Sequence, residues 1–247
     1  MYGMFFKLII ILFSSLTLFA GTADYIVKKM EDNTRATNAS QSITMEIQTS
    51  RGLRTMKMHS WNQGTEKSFI RIDYPKKDKG ITFLKLDKQM WQYIPRIEKV
   101  IKIPASMMMQ SWMGSDFSND DMVKESSMTD DYDNNLLKED ENTYTIELIP
   151  YEDAAVVWGK IIAKVAKKTY APITMDYYDE DGVLERTLEF KDVKKIGEMY
   201  YPHVMVMRSH DEDKKNNITT VRLHDVDLNP QLNKSMFTKR ALKRLSR

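Results

Sequence analysis

The residues that could do chemistry are few, and their spacing argues against catalysis. The chain holds no cysteine, so it has no thiol nucleophile, no disulfide and no site for a lipid-modified export signal. Its four histidines, His59, His203, His210 and His224, show no paired ligand spacing, and His-Glu-x-x-His is absent, so no metal site is expected. Gly114-Ser115-Asp116 is only a fragment of the Gly-x-Ser-x-Gly nucleophile elbow. An esterase using Ser115 or Ser118 beside Asp116 would lack an evident histidine partner. The 9 glycines are scattered and form no phosphate-binding loop. Asp176, Asp179 and Asp181 before Gly182 fail the calcium-loop spacing, because Tyr177 would fill the first ligand position; they read as turn residues. Asp116, Asp120 and Asp121 form a denser acidic group, expected to cap a helix start and favour its dipole. No catalytic residue and no cofactor are expected.

The apolar inventory is more informative. There are 18 methionines, with Met107, Met108, Met109 and Met113 crowded around Trp112. Methionine is flexible and polarisable, and suits surfaces that adapt to variable apolar ligands. Such a segment serves equally well as ordinary core or as the cover of an apolar cavity.

The elements that would position these residues are mostly strands. Asp24 to Asn38 reads as a helix capped by Asp24. From Gln41 the spacing becomes alternating, with Ile43, Met45 and Ile47 on one face. Leu53–Trp61 carries Met56 and Met58, after a Ser50-Arg51-Gly52 hairpin loop. Further strands follow at Ser68–Tyr74 (Ile70, Ile72), Ile81–Leu86 (Leu84, Leu86), Gln89–Pro95 (Trp91, Tyr93) and Lys99–Ile103 (Ile101, Ile103). Consecutive short strands with no intervening helix make an antiparallel meander. Pro104 then starts a helix through Met113, with a further capped turn from Ser118 or Asn119 to Lys124. Lys124–Asn142 reads as an exposed connection. Strands resume at Thr143–Ile149. Ala154–Lys168 fits either a helix or a long strand, with periodicity favouring helix. Ile173–Asp179 and Val183–Phe190 form a hairpin across Glu180-Asp181-Gly182. Val204–Arg208 and Ile218–Leu228 form another pair, and the basic tail ends in a helix.

Composition sets the class. The chain has 247 residues, 42% hydrophobic and 29% charged, which suits one globular domain rather than disorder. A net charge of +2 leaves no basic footprint for nucleic acid. Residues 1–23 read as a signal peptide: Lys7, then an apolar run through Phe19, then small residues. Cleavage is expected after Ala23, with Gly21 at −3, or after Ala20. The apolar run is short for a membrane span of about 20 residues. The mature domain, 24–247, is expected to be a soluble monomer in the periplasm.

Three segments carry a family resemblance. Lys79-Gly80-Ile81-Thr82-Phe83-Leu84, Met90-Trp91-Gln92-Tyr93-Ile94-Pro95 and Met113-Gly114-Ser115-Asp116-Phe117-Ser118-Asn119-Asp120-Asp121 resemble the outer-membrane lipoprotein-sorting proteins, relatives of the periplasmic Lol carriers. The resemblance implies a mainly β, α+β fold: an incomplete, strongly curved antiparallel β-barrel with a helical lid over its open side. It also implies that Ala154–Lys168 is a strand. The function it implies is non-enzymatic: binding lipid or lipoprotein acyl chains in an apolar cavity for delivery towards the outer membrane. The implied partners are an inner-membrane transporter of the resistance–nodulation–division type and an outer-membrane acceptor. The alternative is an envelope sensor or an accessory subunit of such a pump. Carriers of this kind latch the lid with an arginine, for which Arg51, Arg54 and Arg71 are candidates. The expected lipid contacts are Met56, Met58, Ile70, Ile72, Leu84, Leu86, Trp91, Tyr93, Ile101, Ile103, Met107, Met108, Trp112 and Met113.

Overall fold

The computed structural model describes residues 14–123, 127–154, 156–214 and 216–247, excepting the side chains of 14–21. Most of the expected signal peptide, and the expected turn end at Lys124, lie outside the described residues. The first described element is helix α1 (Ser14–Thr34). It ends earlier than expected, and strand β1 (Asn38–Thr49) begins where the helix was expected to run out. Ala23, Ile26, Val27 and Met30 are all buried, at the i, i+3, i+4, i+7 spacing of one helix face.

Five strands follow β1 in a meander: β2 (Gly52–Gln63), β3 (Lys67–Tyr74), β4 (Thr82–Leu86), β5 (Gln89–Ile94) and β6 (Lys99–Lys102). Seven more follow a long connection: β7 (Tyr132–Glu139), β8 (Thr143–Pro150), β9 (Lys160–Ala166), β10 (Pro172–Tyr178), β11 (Leu184–Ile196), β12 (Met199–Ser209) and β13 (Ile218–Asp227). They join in one 13-stranded sheet, ordered β6-β5-β4-β3-β2-β1-β13-β12-β11-β10-β9-β8-β7. Every pairing is antiparallel. The first strand pairs with the last, while β6 and β7 remain unpaired edges, so the barrel is curved but open. Register shifts in the β1–β13, β2–β3, β10–β11 and β7–β8 ladders bend the strands and add twist.

Strand β9 confirms the strand implied for Ala154–Lys168, against helical periodicity. Strand β7 corrects the exposed connection expected over Lys124–Asn142: Tyr132 is only 1% exposed and Asn134 1%. Asp133 and Asn135 face outward between inward Tyr132, Asn134 and Leu136, and a polar residue on each face obscured the alternation. The Asp-Gly turn is as expected, with Gly182 at φ +79° and the Asp179 carboxylate accepting from the Val183 N–H at 2.8 Å.

The sheet is packed on its inner face and on part of its outer face. Its inner face packs α1 over β7–β12 and the 103–131 connection over β1–β5 and β13. Its outer face is covered at β3–β5 by the terminal helix α2 (Lys239–Arg244), where Ala241 and Leu242 meet Phe69, Leu84, Trp91 and Tyr93.

Candidate functional site

The connection between β6 and β7, described over 103–123 and 127–131 and here called the strap, lies across the inner face between the two open edges of the sheet. It was expected to hold a helix from Pro104 to Met113. Over that span it forms two short 3-10 turns, at Ala105–Met107 and Trp112–Gly114, and Pro104 precedes the first turn instead of entering it. Two positive φ angles in a row, Met113 at 52° and Gly114 at 75°, break any helix there. The strap folds back on itself through a Ser111–Ser118 bridge. It makes no ladder with the sheet among the described residues. Ser118 and Asp121 cap each other: the Asp121 N–H donates to the Ser118 hydroxyl at 3.0 Å, and the Ser118 N–H to the Asp121 carboxylate at 2.7 Å.

Beneath the strap, β1 contributes Met45 and Ile47, β2 Met56 and Met58, β3 Ile70 and Ile72, β4 Phe83 and β5 Met90. Trp112 and Val123 of the strap are buried among them, with Met108, Met113, Phe117 and Met122 packed alongside. The Trp112 and Phe83 rings lie 5.2 Å apart. Side chains fill this interface. Its open part is a groove of about 430 Å³ beside the β6 edge, bounded by Lys88 and Gln89 of the β4–β5 hairpin, Lys102 of β6, and Ile103, Met108, Asp120 and Val123 of the strap.

Polar contacts fasten the strap to this apolar face. Arg54 of β2 donates a hydrogen bond to the Met113 carbonyl, which the positive-φ turn presents, and its guanidinium lies 3.4 Å from the Met56 sulfur. Arg54 is therefore the arginine of the three candidates that reaches the cover. Arg51 is exposed on the β1–β2 turn. Arg71 pairs with Asp73 and sits over Trp61 on the outer face. Asp116 does not cap a helix: its N–H donates to the Thr219 hydroxyl at 3.0 Å, and that hydroxyl donates to its carboxylate at 2.6 Å. Asp121 holds Arg186 of β11 through two bonds of 2.6 and 2.7 Å. The Arg186 guanidinium lies 4.4 Å from the Trp158 ring centre and 4.8 Å from that of Tyr177. On the far side, Glu31 of α1 accepts from the Met128 N–H at 2.6 Å and the Thr129 hydroxyl at 3.1 Å.

The electrostatics follow from this packing. Burial pushes Asp121 up, but the hydrogen bonds and charge of Arg186, with help from Ser118, outweigh it and hold the carboxyl below its ordinary range. Burial dominates at Asp116 and raises its carboxyl, despite the bond from Thr219. Burial pushes the Tyr177 phenol up to about 12. Among the described residues, the buried Trp112 indole N–H, Arg186 Nε and Ser60 hydroxyl have no hydrogen-bond partner.

The expected contact residues fall on two faces. Met56, Met58, Ile70, Ile72, Ile103 and Trp112 are gathered, buried, between sheet and strap, with Met108 and Met113 partly buried beside them. Ile101 (38% exposed) and Met107 (38%) lie at the margin. Leu84, Trp91 and Tyr93 are instead in the outer cluster under α2, with Leu86 packed against it. The register shows why: Ile70 pairs with Phe83, and Phe69 with Leu84, and directly paired residues share a face. Sequence reasoning missed Phe83 and Met90 for the same reason. In the Leu84-Lys85-Leu86 run the leucines suggested the inner face, yet Lys85 is the buried inner residue, at 6% exposure. Ser115, the esterase candidate, donates its hydroxyl to the Trp112 carbonyl at 2.7 Å. His59 is elsewhere, on the outer face, with Ser40 at 2.9 Å from one ring nitrogen and Ser42 at 3.3 Å from the other.

A family model described as an uncharacterized protein matches residues 64–244. No curated protein matches the sequence. A solved DUF1329 family protein from Desulfovibrio piger is similar at a TM-score of 0.82 and 20% identity, over 91% of this chain and 99% of that one. A structure described as an outer membrane lipoprotein-sorting protein domain, from Vibrio parahaemolyticus, gives 0.79 and 22%, over 91% and 100%. A LolA superfamily protein from Nitrosomonas europaea gives 0.72 and 19%, over 89% and 98%.

Proposed function

The chain belongs to the family whose model spans residues 64–244 and has the open-barrel fold of the lipoprotein-sorting and LolA superfamily structures, and from that premise we propose that it is a periplasmic carrier of lipid acyl chains. Cargo enters between strap and inner face, starting at the groove, and leaves towards the outer membrane. The partners belong to the same proposal: an inner-membrane transporter of the resistance–nodulation–division type as donor and an outer-membrane acceptor. Export by a cleaved signal peptide is part of it as well, and no described helix is long and apolar enough to cross a membrane.

The observation that supports this reading best is the way the strap is held. Beyond the Ile103 N–H, which bonds the Met90 carbonyl of β5 at 2.9 Å, its described residues up to Asp130 cover a continuous apolar face without backbone hydrogen bonds to the strands, held by apolar packing and a small set of side-chain contacts. Ladder bonds make a segment part of the fold; a few detachable contacts leave it able to lift. Burying a methylene is worth about 0.8 kcal/mol, so about a dozen give on the order of 10 kcal/mol of gross affinity. Lifting the strap subtracts from that sum, which lets the cargo leave again. The methionines on both walls, Met56, Met58, Met90, Met108 and Met113, can repack around chains of different shape.

Lipid extraction and mass spectrometry of protein purified from the periplasm without detergent test this. Stoichiometric acyl lipid is expected. Repeatedly empty protein, under conditions that keep lipid on known carriers, would overturn the proposal.

A further inference from the structure

The net charge of +2 conceals an uneven distribution. Three segments, 75–80, 95–102 and 239–247, carry 11 lysines and arginines against two acidic residues, Asp78 and Glu98. Their side chains sum to +9, which leaves the rest of the chain at −7. All 11 cationic residues are exposed. The fold gathers the three segments around α2 and the β6 edge. Gly80 backs onto the Ser246 carbonyl and Pro95. Thr82 donates to the Leu242 carbonyl at 2.8 Å, and Lys243 lies 3.7 Å from Glu98. Lys239 of α2 and Lys102 of β6 sit over the same Trp91 ring, 4.5 and 5.8 Å from its centre. Two bulky apolar side chains stand among these charges. Ile97, in the β5–β6 turn, is 53% exposed, and Val100 of β6 is 45% exposed. A single exposed apolar residue needs no explanation. Apolar tips set in a basic surface have the composition of a membrane interface, where cations meet headgroup phosphates and the tips enter the boundary with the acyl chains. Lys102 also lines the groove, so this surface adjoins the groove mouth.

We propose that this basic face docks on the anionic phospholipid headgroups of a membrane surface. The docking needs nothing from the carrier reading, which supplies only its purpose: a chain held this way brings the groove to the bilayer where an acyl chain is taken up or given over. An acidic protein would answer the charges equally well. A bilayer also receives isolated apolar tips, because its fluid boundary needs no pocket shaped to them.

The test is co-flotation of the full mature protein with vesicles of phosphatidylcholine alone, or of phosphatidylcholine with about a third phosphatidylglycerol. Binding is expected to the anionic vesicles only, and should be lost at about 0.5 M salt, where screening shortens the reach of exposed charges to a few ångströms. Lys77→Gln, Lys99→Gln and Arg240→Gln together remove one exposed cation from each segment, and should weaken binding about a hundredfold. Ile97→Ala leaves the charge unchanged and should weaken it about tenfold. The four positions are exposed, so these variants should keep the parent's urea midpoint; the salt titration of the unsubstituted chain decides if one does not. Equal binding to neutral and anionic vesicles, or binding to neither, would overturn the proposal. Binding to soluble polyglutamate as tight as to the vesicles, with vesicle binding indifferent to Ile97→Ala, would overturn it in favour of an acidic protein partner. Each of these results leaves the carrier reading to the lipid extraction.

Discussion

At the scale of single residues, two aspartates of the strap, Asp116 and Asp121, should respond to pH in opposite directions. The folded protein holds Asp121 below its ordinary range, so the Arg186 pair stabilises above that range and loses its contribution as pH falls through the depressed value. Asp116 is raised, so the folded state favours its protonated form; that contribution is present in acid and is lost as pH rises through the raised value. Asp116→Asn should therefore be at least as stable as the parent at neutral pH, with its advantage vanishing in acid, as urea midpoints across pH would show. Removing one partner of the other pair is different. Arg186→Met leaves the partly buried Asp121 without its charge partner, and should cost about 1–3 kcal/mol in urea unfolding. Replacing Asp121 with Leu in the same chain should recover much of that loss, because two apolar groups leave no orphaned charge.

At the scale of elements, strands were legible and faces were not. Alternation located β1 to β6 closely, and Asp-Gly located the β10–β11 turn, because backbone spacing and turn chemistry are local. Which side of a strand looks inward depends on what covers each side. Here β4 is covered twice, by the strap within and by α2 without, so Phe83 and Leu84 are both buried and neither announces its face. The strap misled for a related reason. Methionine and alanine, with no β-branched residue among them, favour a helix locally, yet tertiary contacts from Arg54, Thr219 and Arg186 fix an irregular path. None of these partners is near in sequence, so the latch was legible only as a choice among arginines. The facing itself makes a prediction: Leu84→Ala and Phe83→Ala should each destabilise by about 2–5 kcal/mol. Only Phe83→Ala should alter the affinity for an acyl probe in the folded protein, as parallel unfolding and binding titrations would reveal.

At the scale of the whole molecule, the sheet is closed through β1 and β13 and left open between β6 and β7. The strap spans that gap and hides a face that would otherwise be a large exposed apolar surface. The central claim is that this cover must lift for cargo to enter, and a reversible lock tests it most directly. The chain has no cysteine of its own, so Asp116→Cys with Thr219→Cys, at side chains that touch across the strap and β13, can be oxidised without competing bridges. The oxidised protein should fail to take up an acyl probe, and reductant should restore uptake to the level of the unmodified chain. Equal uptake by the oxidised and reduced forms, with the disulfide verified by mass, would contradict the account.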